Sequence, residues 1–360
     1  MAFETYSNKR NKLMIGILLG VVAVVLILFI IIELIILKKG GIDTRTKTDA
    51  TPTPYATVDQ EATPAPTSEP TAEPTEEPWI AVNPEYNTIE TRFNPPKGYT
   101  RVSVEPGSFA EFLRTYQLKP YGTKPEMFTG YINDDSSDLG VFNQQMTLVQ
   151  YQQCADTAMM LYAEYLFKEG LYSEISFNFA NGFKCDFEHW AEGNRVSVSG
   201  NTVKWVLSTD KAGVKAGDYS FQNLVNYLHV VYQYANTASL AQELPKANGD
   251  LQIGDIIIGT TDQLRAQAML IGSETASEVS YGHAIIIADM AVNEAGEKVY
   301  LFIEGTTPAT ECCVVENPDG VSACWYKFNA DGTFVKGVSG IVWKTEWGRK
   351  FKVTERPQAN

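Results

Sequence analysis

The chain has 360 residues, of which 44% are hydrophobic, and a formal net charge of −14. This length allows one large domain or two smaller ones. The acidic balance repels phosphate backbones, so we expect no nucleic-acid partner.

An apolar segment near the N-terminus predicts a membrane anchor. After a short tail (residues 1–12), residues 13–37 are almost all apolar apart from Glu33. As a helix this run would measure about 37 Å, enough to cross a lipid bilayer with some tilt. A long secretory signal is the alternative, but a cleavable signal has a shorter apolar core and a small-residue cleavage site, whereas Lys38-Lys39 follows here.

The next segment is rich in Thr, Pro, Glu and Ala, and we predict a disordered linker at 38–80. Basic residues flank both ends of the apolar run, so the positive-inside rule nearly cancels. Stalks of this composition commonly hold a domain outside the cell. We therefore expect a single-pass protein of the cell membrane, with an extracytoplasmic globular domain at 81–360.

Within 81–360 the patterns predict helices first and an antiparallel sheet after them, an α+β arrangement. The predicted elements are helices at 150–169 and 220–234, a hairpin of 195–198 with 203–206, strands at 253–258, 283–288 and 299–303, and a closing hairpin of 325–328 with 333–335.

One imidazole lies at the start of a predicted buried strand, in Gly282-His283-Ala284. Cys154 precedes it in the chain, and Glu304 ends the next predicted strand. A thiol, then an imidazole at a strand start, then a polar side chain on the following strand resembles the chain order of papain-like cysteine hydrolases. That order makes Cys154 the nucleophile, His283 the general base and Glu304 the group that orients the ring.

Three glutamines around the thiol, Gln150, Gln152 and Gln153, are candidates for binding an oxyanion or substrate, with the Cys154 N–H as a second donor. Each prediction has a structural alternative. Cys154 shares an apolar stripe with Ala158 and fits a buried structural cysteine equally well. Glu304 fits a solvent-facing strand end.

Five cysteines are an odd number, so at least one thiol stays unpaired if the others pair within the chain. A local disulfide among Cys312, Cys313 and Cys324 and a fully reduced set both remain open. The chain has no Cys-x-x-Cys, and its three histidines are far apart in sequence. We predict neither a metal site nor a cofactor.

From about Arg92 to the C-terminus the sequence resembles a bacterial family catalogued as domain of unknown function 4846. The matching landmarks are Arg92-Phe93-Asn94-Pro95-Pro96-Lys97-Gly98-Tyr99, Gln152-Gln153-Cys154-Ala155-Asp156, Ala163-Glu164-Tyr165-Leu166, Phe177-Asn178-Phe179, Gly182-Phe183, Gly282-His283-Ala284, Asp289-Met290-Ala291 and Pro308-Ala309. That family name implies no activity, and its members tend to have Gln where this chain has Glu304.

A second resemblance is to bacterial wall peptidases and amidases of the papain-like NlpC type. It implies a papain-like core and a thiol hydrolase or transferase acting on an amide or ester of the cell envelope, with cell-wall peptide as the expected substrate class. The alternative function is a non-catalytic surface-binding or scaffolding domain. In that case Trp190, Trp205 and Trp325 would provide the binding surface.

Overall fold

The computed structural model describes residues 79–134, 136–273, 276–319, 323–337 and 341–354. The predicted anchor at 13–37 and nearly all of the predicted linker at 38–80 lie outside this part of the chain. Within it, no helix combines the length and the apolar character that a bilayer crossing requires. The described residues belong to one compact unit with an α+β arrangement and antiparallel strand pairing, as predicted.

Seven α-helices lie in the described ranges, and three short 3₁₀ turns accompany them. The helices are α1 (Ile89–Arg92), α2 (Phe109–Arg114), α3 (Cys154–Lys168), α4 (Phe187–Ala191), α5 (Phe221–Tyr234), α6 (Thr237–Glu243) and α7 (Thr261–Leu270).

The strands form one large antiparallel sheet and three separate two-stranded ribbons. In chain order they are β1 (Tyr99–Arg101), β2 (Gly140–Val141), β3 (Ser176–Asn178), β4 (Lys184–Asp186), β5 (Asn194–Ser199), β6 (Thr202–Leu207), β7 (Ile256–Gly259), β8 (His283–Asn293), β9 (Lys298–Glu304), β10 (Cys313–Val314), β11 (Trp325–Tyr326), β12 (Thr333–Val335), β13 (Val342–Lys344) and β14 (Gly348–Arg349).

The large sheet has the order β14-β7-β8-β9-β10-β2, with β1 paired to β8 and β11 paired to β9. Its centre consists of β7, β8 and β9, which are the three apolar strands that the sequence predicts. Their side chains are buried almost throughout. A strand buried on both faces reads as a continuous apolar run, and these runs are therefore the clearest strand signals in the chain.

The hairpins give one correct and one wrong prediction. Strands β5 and β6 pair through the turn at Gly200, as predicted. The predicted closing hairpin of 325–328 with 333–335 is wrong, because β11 pairs with β9 and β12 pairs with β13. Phe334 of β12 stacks on Phe302 of β9 with ring centroids 5.1 Å apart, so aromatic packing holds the β12–β13 ribbon against the large sheet.

Helix α3 is the central helix, and every residue from Cys154 to Leu166 is buried. A helix buried on all sides lacks the single apolar stripe of a surface helix. It begins at Cys154 rather than at 150. The reason is the cap: the Asp156 carboxylate accepts a hydrogen bond from the Gln153 N–H at 3.0 Å, which ends the preceding turn and starts the helix.

Candidate active site

Strand register brings His283 and Glu304 to the same face of the large sheet. In the β8–β9 pair, Ile286 lies opposite Ile303. The next position places Ile285 opposite Glu304, and His283 lies two residues further along β8 on the same face. Diagonal neighbours on adjacent strands lie within reach of long side chains. The Nε2 atom of His283 is 2.5 Å from Oε2 of Glu304.

The N-terminal end of α3 brings the Cys154 thiol to the other side of the His283 ring. The thiol and the His283 ring lie close enough for each to shift the pKa of the other. Since Nε2 faces Glu304, Nδ1 is the ring nitrogen that remains for the sulfur. The sulfur also lies 3.8 Å from the carbonyl oxygen of Gly282. The structure therefore brings together all three residues that the sequence assigned to one site.

Two glycines allow these elements to approach so closely. A Cβ atom at Gly282 would collide with the Thr237 hydroxyl and come within 2.9 Å of the Gly259 carbonyl oxygen. A Cβ atom at Gly305, directly after Glu304, would collide with the hydroxyl of Thr157 in the first turn of α3. The missing side chains let α3 and the end of β9 touch, so the thiol reaches the sheet.

Sequence reasoning missed a fourth charged group, Lys336. Its Nζ atom lies 2.6 Å from both carboxylate oxygens of Glu304. Lys336 follows β12, and the partner strand β13 contributes Trp343, whose ring meets His283 in a T-shaped contact at 5.8 Å. Because the predicted pairing of 333–335 with 325–328 was wrong, the sequence did not place Lys336 or Trp343 near the site. Glu304 itself could have indicated a nearby cation, because a carboxylate that is buried where related sequences tend to have Gln needs a positive charge beside it.

Burial and the neighbouring charges shift the pKa of Glu304 in opposite directions, and the same holds for the pKa of His283. Burial alone would raise the pKa of Glu304, but the Lys336 ammonium and the His283 ring outweigh it and lower that pKa to about 2. Burial would lower the pKa of His283, but the carboxylate of Glu304 and the Cys154 sulfur raise it to about 9. At neutral pH the site therefore contains an imidazolium and a carboxylate.

Cys154 differs electrostatically from the other four cysteines. Burial would raise its pKa, but the positive charge of His283 and hydrogen bonds from the His283 ring and the Ala284 and Ala155 N–H groups lower it. All five cysteines are free and buried. Burial raises the pKa of each of the other four thiols, which are Cys185, Cys312, Cys313 and Cys324. Cys154 is thus the one thiol whose surroundings favour the thiolate.

Of the three glutamines, only Gln153 lies at the thiol. Its Oε1 atom accepts a hydrogen bond from the Thr307 hydroxyl at 3.1 Å, which leaves the amide NH₂ as its donor group. Gln152 is fully buried and donates to the Met160 sulfur at 3.1 Å, and Gln150 is exposed. The prediction assumed one helical turn for all three, whereas α3 starts only after Gln153.

A cavity of about 350 Å³ opens beside Cys154. Polar and apolar atoms contribute about equally to its lining, which contains Gln153, Asp156, Asn236, several hydroxyl side chains and the backbone at Gly282. This is the lower end of the size range for small-molecule sites. In the described ranges, no group of three or more His, Cys, Asp or Glu side chains is arranged to hold a metal ion.

The structure changes the balance between the alternatives that the sequence left open. Glu304 is 6% exposed, so it is not a solvent-facing strand end. Trp190 and Trp325 are buried in the core, and Trp205 stacks on the His189 ring, so the tryptophans do not form a common binding surface. Cys154 is buried, as its structural alternative requires, but it also contacts His283 and lines the cavity.

Comparison with known proteins gives one match. Residues 89–338 match the family model described as Domain of unknown function (4846). No curated protein and no solved structure matches the chain. The chemistry of the site therefore has to be inferred from its own geometry.

Proposed function

The chain belongs to the family described as Domain of unknown function (4846), and we propose that its folded domain is a papain-like thiol hydrolase or transferase that acts on an amide or ester of the cell envelope. One observation carries the proposal. Among five buried thiols, Cys154 alone has a lowered pKa, and it contacts an imidazole that a buried carboxylate holds from the other side. A structural cysteine needs neither arrangement.

The reaction begins with attack of the Cys154 thiolate on a carbonyl carbon. The amide NH₂ of Gln153 and the N–H of Cys154, at the start of α3, supply donors for the developing oxyanion. The His283 imidazolium then gives its proton to the leaving amine or alcohol as the carbon–heteroatom bond breaks. Water, or a second amine in a transferase, attacks the thioester with His283 as the base and releases the acyl group.

Glu304 and Lys336 keep His283 ready for both roles. The carboxylate accepts the Nε2 hydrogen bond and so fixes the ring with Nδ1 toward the sulfur. Lys336 balances the carboxylate charge, so the thiolate, imidazolium, carboxylate and ammonium sum to zero. A neutral set of four paired charges is far less costly to bury than an excess charge.

The proposed location and substrate class rest on the sequence of residues that the structure does not describe. The apolar run at 13–37 and the linker at 38–80 support a domain held outside the cell membrane, where cell-wall peptides supply amide bonds. Protease accessibility of the linker in intact cells tests this orientation. Cleavage of the linker only after the membrane has been permeabilised would contradict the extracytoplasmic orientation.

The activity itself is tested with cell-wall peptide fragments and the full-length chain. We expect release of a new amine or carboxylate end, and a thioester on Cys154 detectable by mass spectrometry after rapid quenching. Cys154→Ala and His283→Ala should abolish both signals. Cys313→Ala, which removes another buried thiol, is the matched control and should keep them. Equal turnover by Cys154→Ala would overturn the proposal.

A further inference from the structure

The cavity beside Cys154 is lined in part by Asn236, an exposed residue that directly precedes α6. The next residue, Thr237, packs so closely on Gly282 that a Cβ atom at Gly282 would collide with the Thr237 hydroxyl. The carbonyl oxygen of Gly282 in turn lies 3.8 Å from the Cys154 sulfur. Asn236 therefore belongs to a segment that packs directly against the thiol's own surroundings, and it faces the same cavity as the thiol.

The helix cap determines which end of the Asn236 amide is free. Its Oδ1 atom accepts a hydrogen bond from the Ser239 N–H at 2.9 Å. A backbone N–H can only donate, so the oxygen is the amide atom that faces α6, and the NH₂ group is left as a donor. Within the described ranges, no protein group accepts a hydrogen bond from this NH₂ group. The cap thus fixes a donor in place without using it.

Gln153 reaches the same cavity with the same arrangement. Its Oε1 atom is occupied by the Thr307 hydroxyl, and its NH₂ group remains as a donor. The cavity therefore receives one amide donor from the residue before α3 and another from the residue before α6. The proposed reaction uses the first donor for the oxyanion and gives the second no role. Donors that are held in place before binding lose little freedom when a ligand arrives, which favours a second oxygen on the substrate.

The surroundings of Asn236 favour an uncharged oxygen over an anion. Among the described residues that line the cavity there is no Lys or Arg, and the chain has a net charge of −14. A carboxylate or phosphate would find no cation here to offset its desolvation, whereas a carbonyl oxygen needs only a donor. Tyr151 and Tyr281, which are 51% and 65% exposed, add aromatic surface to the same lining.

We infer that Asn236 is a substrate-binding residue whose side-chain NH₂ group donates a hydrogen bond to an amide carbonyl oxygen of the substrate, next to the bond that Cys154 attacks. This inference rests on the proposed function, and it names a feature of the substrate. The residue that supplies the reacting carbonyl is then itself N-acylated. A residue with a free amino group would bring an ammonium donor to the Asn236 donor instead of an acceptor.

Three chloromethyl ketones of equal chain length test the inference in the full-length chain. N-acetylglycyl chloromethyl ketone contains the amide carbonyl, N-ethylglycyl chloromethyl ketone contains an amine instead, and the alkyl analogue has two CH₂ groups in place of the amide. The readout is the rate of Cys154 alkylation by mass spectrometry, divided by the rate of each probe with N-acetylcysteine. We expect the acetylated probe to react about threefold to tenfold faster than the other two, as one hydrogen bond allows.

Asn236→Asp separates the donor from the cap. Asp caps a helix about as well as Asn, so the melting transition should stay, but the free atom becomes an acceptor. The preference for the amide should fall to about twofold or less, and the amine probe should now react about threefold to tenfold faster than the alkyl probe. Asn236→Ser keeps the cap and should lose the amide preference without gaining the amine preference.

Asn226→Asp is the matched control for the added negative charge. Asn226 is an exposed residue of α5 that is not part of the cavity lining. This variant should keep the amide preference of the wild type. A switch toward the amine probe in Asn226→Asp as well would mean that the net charge of the chain, and not Asn236, selects the probe.

The remaining outcomes overturn the inference in distinguishable ways. Equal normalised rates for the three probes in the wild type would remove the carbonyl site and leave Cys154 as a nucleophile. An amide preference that survives both Asn236→Asp and Asn236→Ser would assign the donor to another residue. Failure of all three probes to alkylate Cys154 would remove the proposed function, and this inference with it.

Discussion

Glu304 lies between two cations, with Oε2 2.5 Å from His283 Nε2 and both oxygens 2.6 Å from Lys336 Nζ. The carboxylate is 6% exposed. Its charge therefore acts on the imidazole with little screening by water, and Lys336 limits how strongly it does so. The histidine and the lysine compete for this one carboxylate, which together with the Cys154 sulfur raises the pKa of His283 against the effect of burial.

Removing the carboxylate charge tests the role of Glu304. Glu304→Gln should lower the pKa of His283 from about 9 by about 1 to 3 units, because the amide no longer favours the imidazolium. The ring should stay in place, since the amide oxygen accepts the same hydrogen bond. NMR titration of His283 measures the change, and an unchanged midpoint would mean that Glu304 does not act on the ring.

The same variant deprives Lys336 of a charged hydrogen-bond partner, which we expect to cost about 1 to 3 kcal/mol of unfolding free energy. Replacing both residues should recover part of this loss. The double variant Glu304→Gln/Lys336→Met contains neither the buried carboxylate nor the ammonium that pairs with it. A double-mutant cycle from denaturant unfolding measures the coupling, and purely additive effects would contradict the ion pair.

Removing the lysine alone should move the imidazole in the opposite direction. Lys336→Met takes a positive charge away from the His283 site and leaves the carboxylate entirely to the ring. The pKa of His283 should then rise above about 9, by up to about one unit. The same NMR titration follows it, with Lys327→Met, an exposed surface lysine, as the control. A lower midpoint in Lys336→Met would refute the competition.

The close approach at Gly305 predicts a steric coupling between α3 and β9. Gly305→Ala places a methyl group against the Thr157 side chain, which should cost about 1 to 3 kcal/mol of unfolding free energy. Thr157→Ala removes the hydroxyl that the methyl group would strike. Gly305→Ala should therefore lower the unfolding free energy by less in the Thr157→Ala background. Equal losses in both backgrounds would mean that the contact with Thr157 does not cause the destabilisation.

The raised pKa of His283 also predicts a pH window of stability. A group whose folded pKa exceeds its unfolded value stabilises the fold fully below the unfolded pKa of about 6.5 and loses this effect as pH rises through about 9. Cys154→Ala isolates the imidazole from the thiol, because Glu304 still raises the pKa. We expect a decrease of about 2 to 3 kcal/mol in unfolding free energy across this window. Adding His283→Gln should remove the decrease.

The sequence predicts the parts of the site that depend on local pattern. Continuous apolar runs identify β7, β8 and β9, and two of these strands present His283 and Glu304 at their ends. The start of α3 was misplaced, because the cap depends on an Asp156 side chain folding back to the Gln153 backbone. Local composition around 150–153 contains no sharp helix breaker.

The residues that sequence reasoning missed depend on long-range pairing. Lys336 and Trp343 reach the site only because β12 pairs with β13 and the ribbon packs on β9 through aromatic contacts. The turn at Gly332 suggested a hairpin with 325–328 instead, and no period in the sequence distinguishes the two partners. Likewise, the cavity beside Cys154 is lined by residues of α3 and α5, two helices that are far apart in the chain.

Selective thiol reactivity tests the central claim most directly. The measurement is the iodoacetamide rate of each of the five cysteines at about pH 6.5, read by peptide mass spectrometry, in the wild type and in His283→Ala. An ordinary thiol is about 1% ionised at this pH. We predict that Cys154 reacts at least about tenfold faster than any other cysteine, and that His283→Ala removes this advantage while His229→Ala keeps it. Equal rates for Cys154 and the other four, or a Cys154 rate that His283→Ala leaves unchanged, would contradict the account.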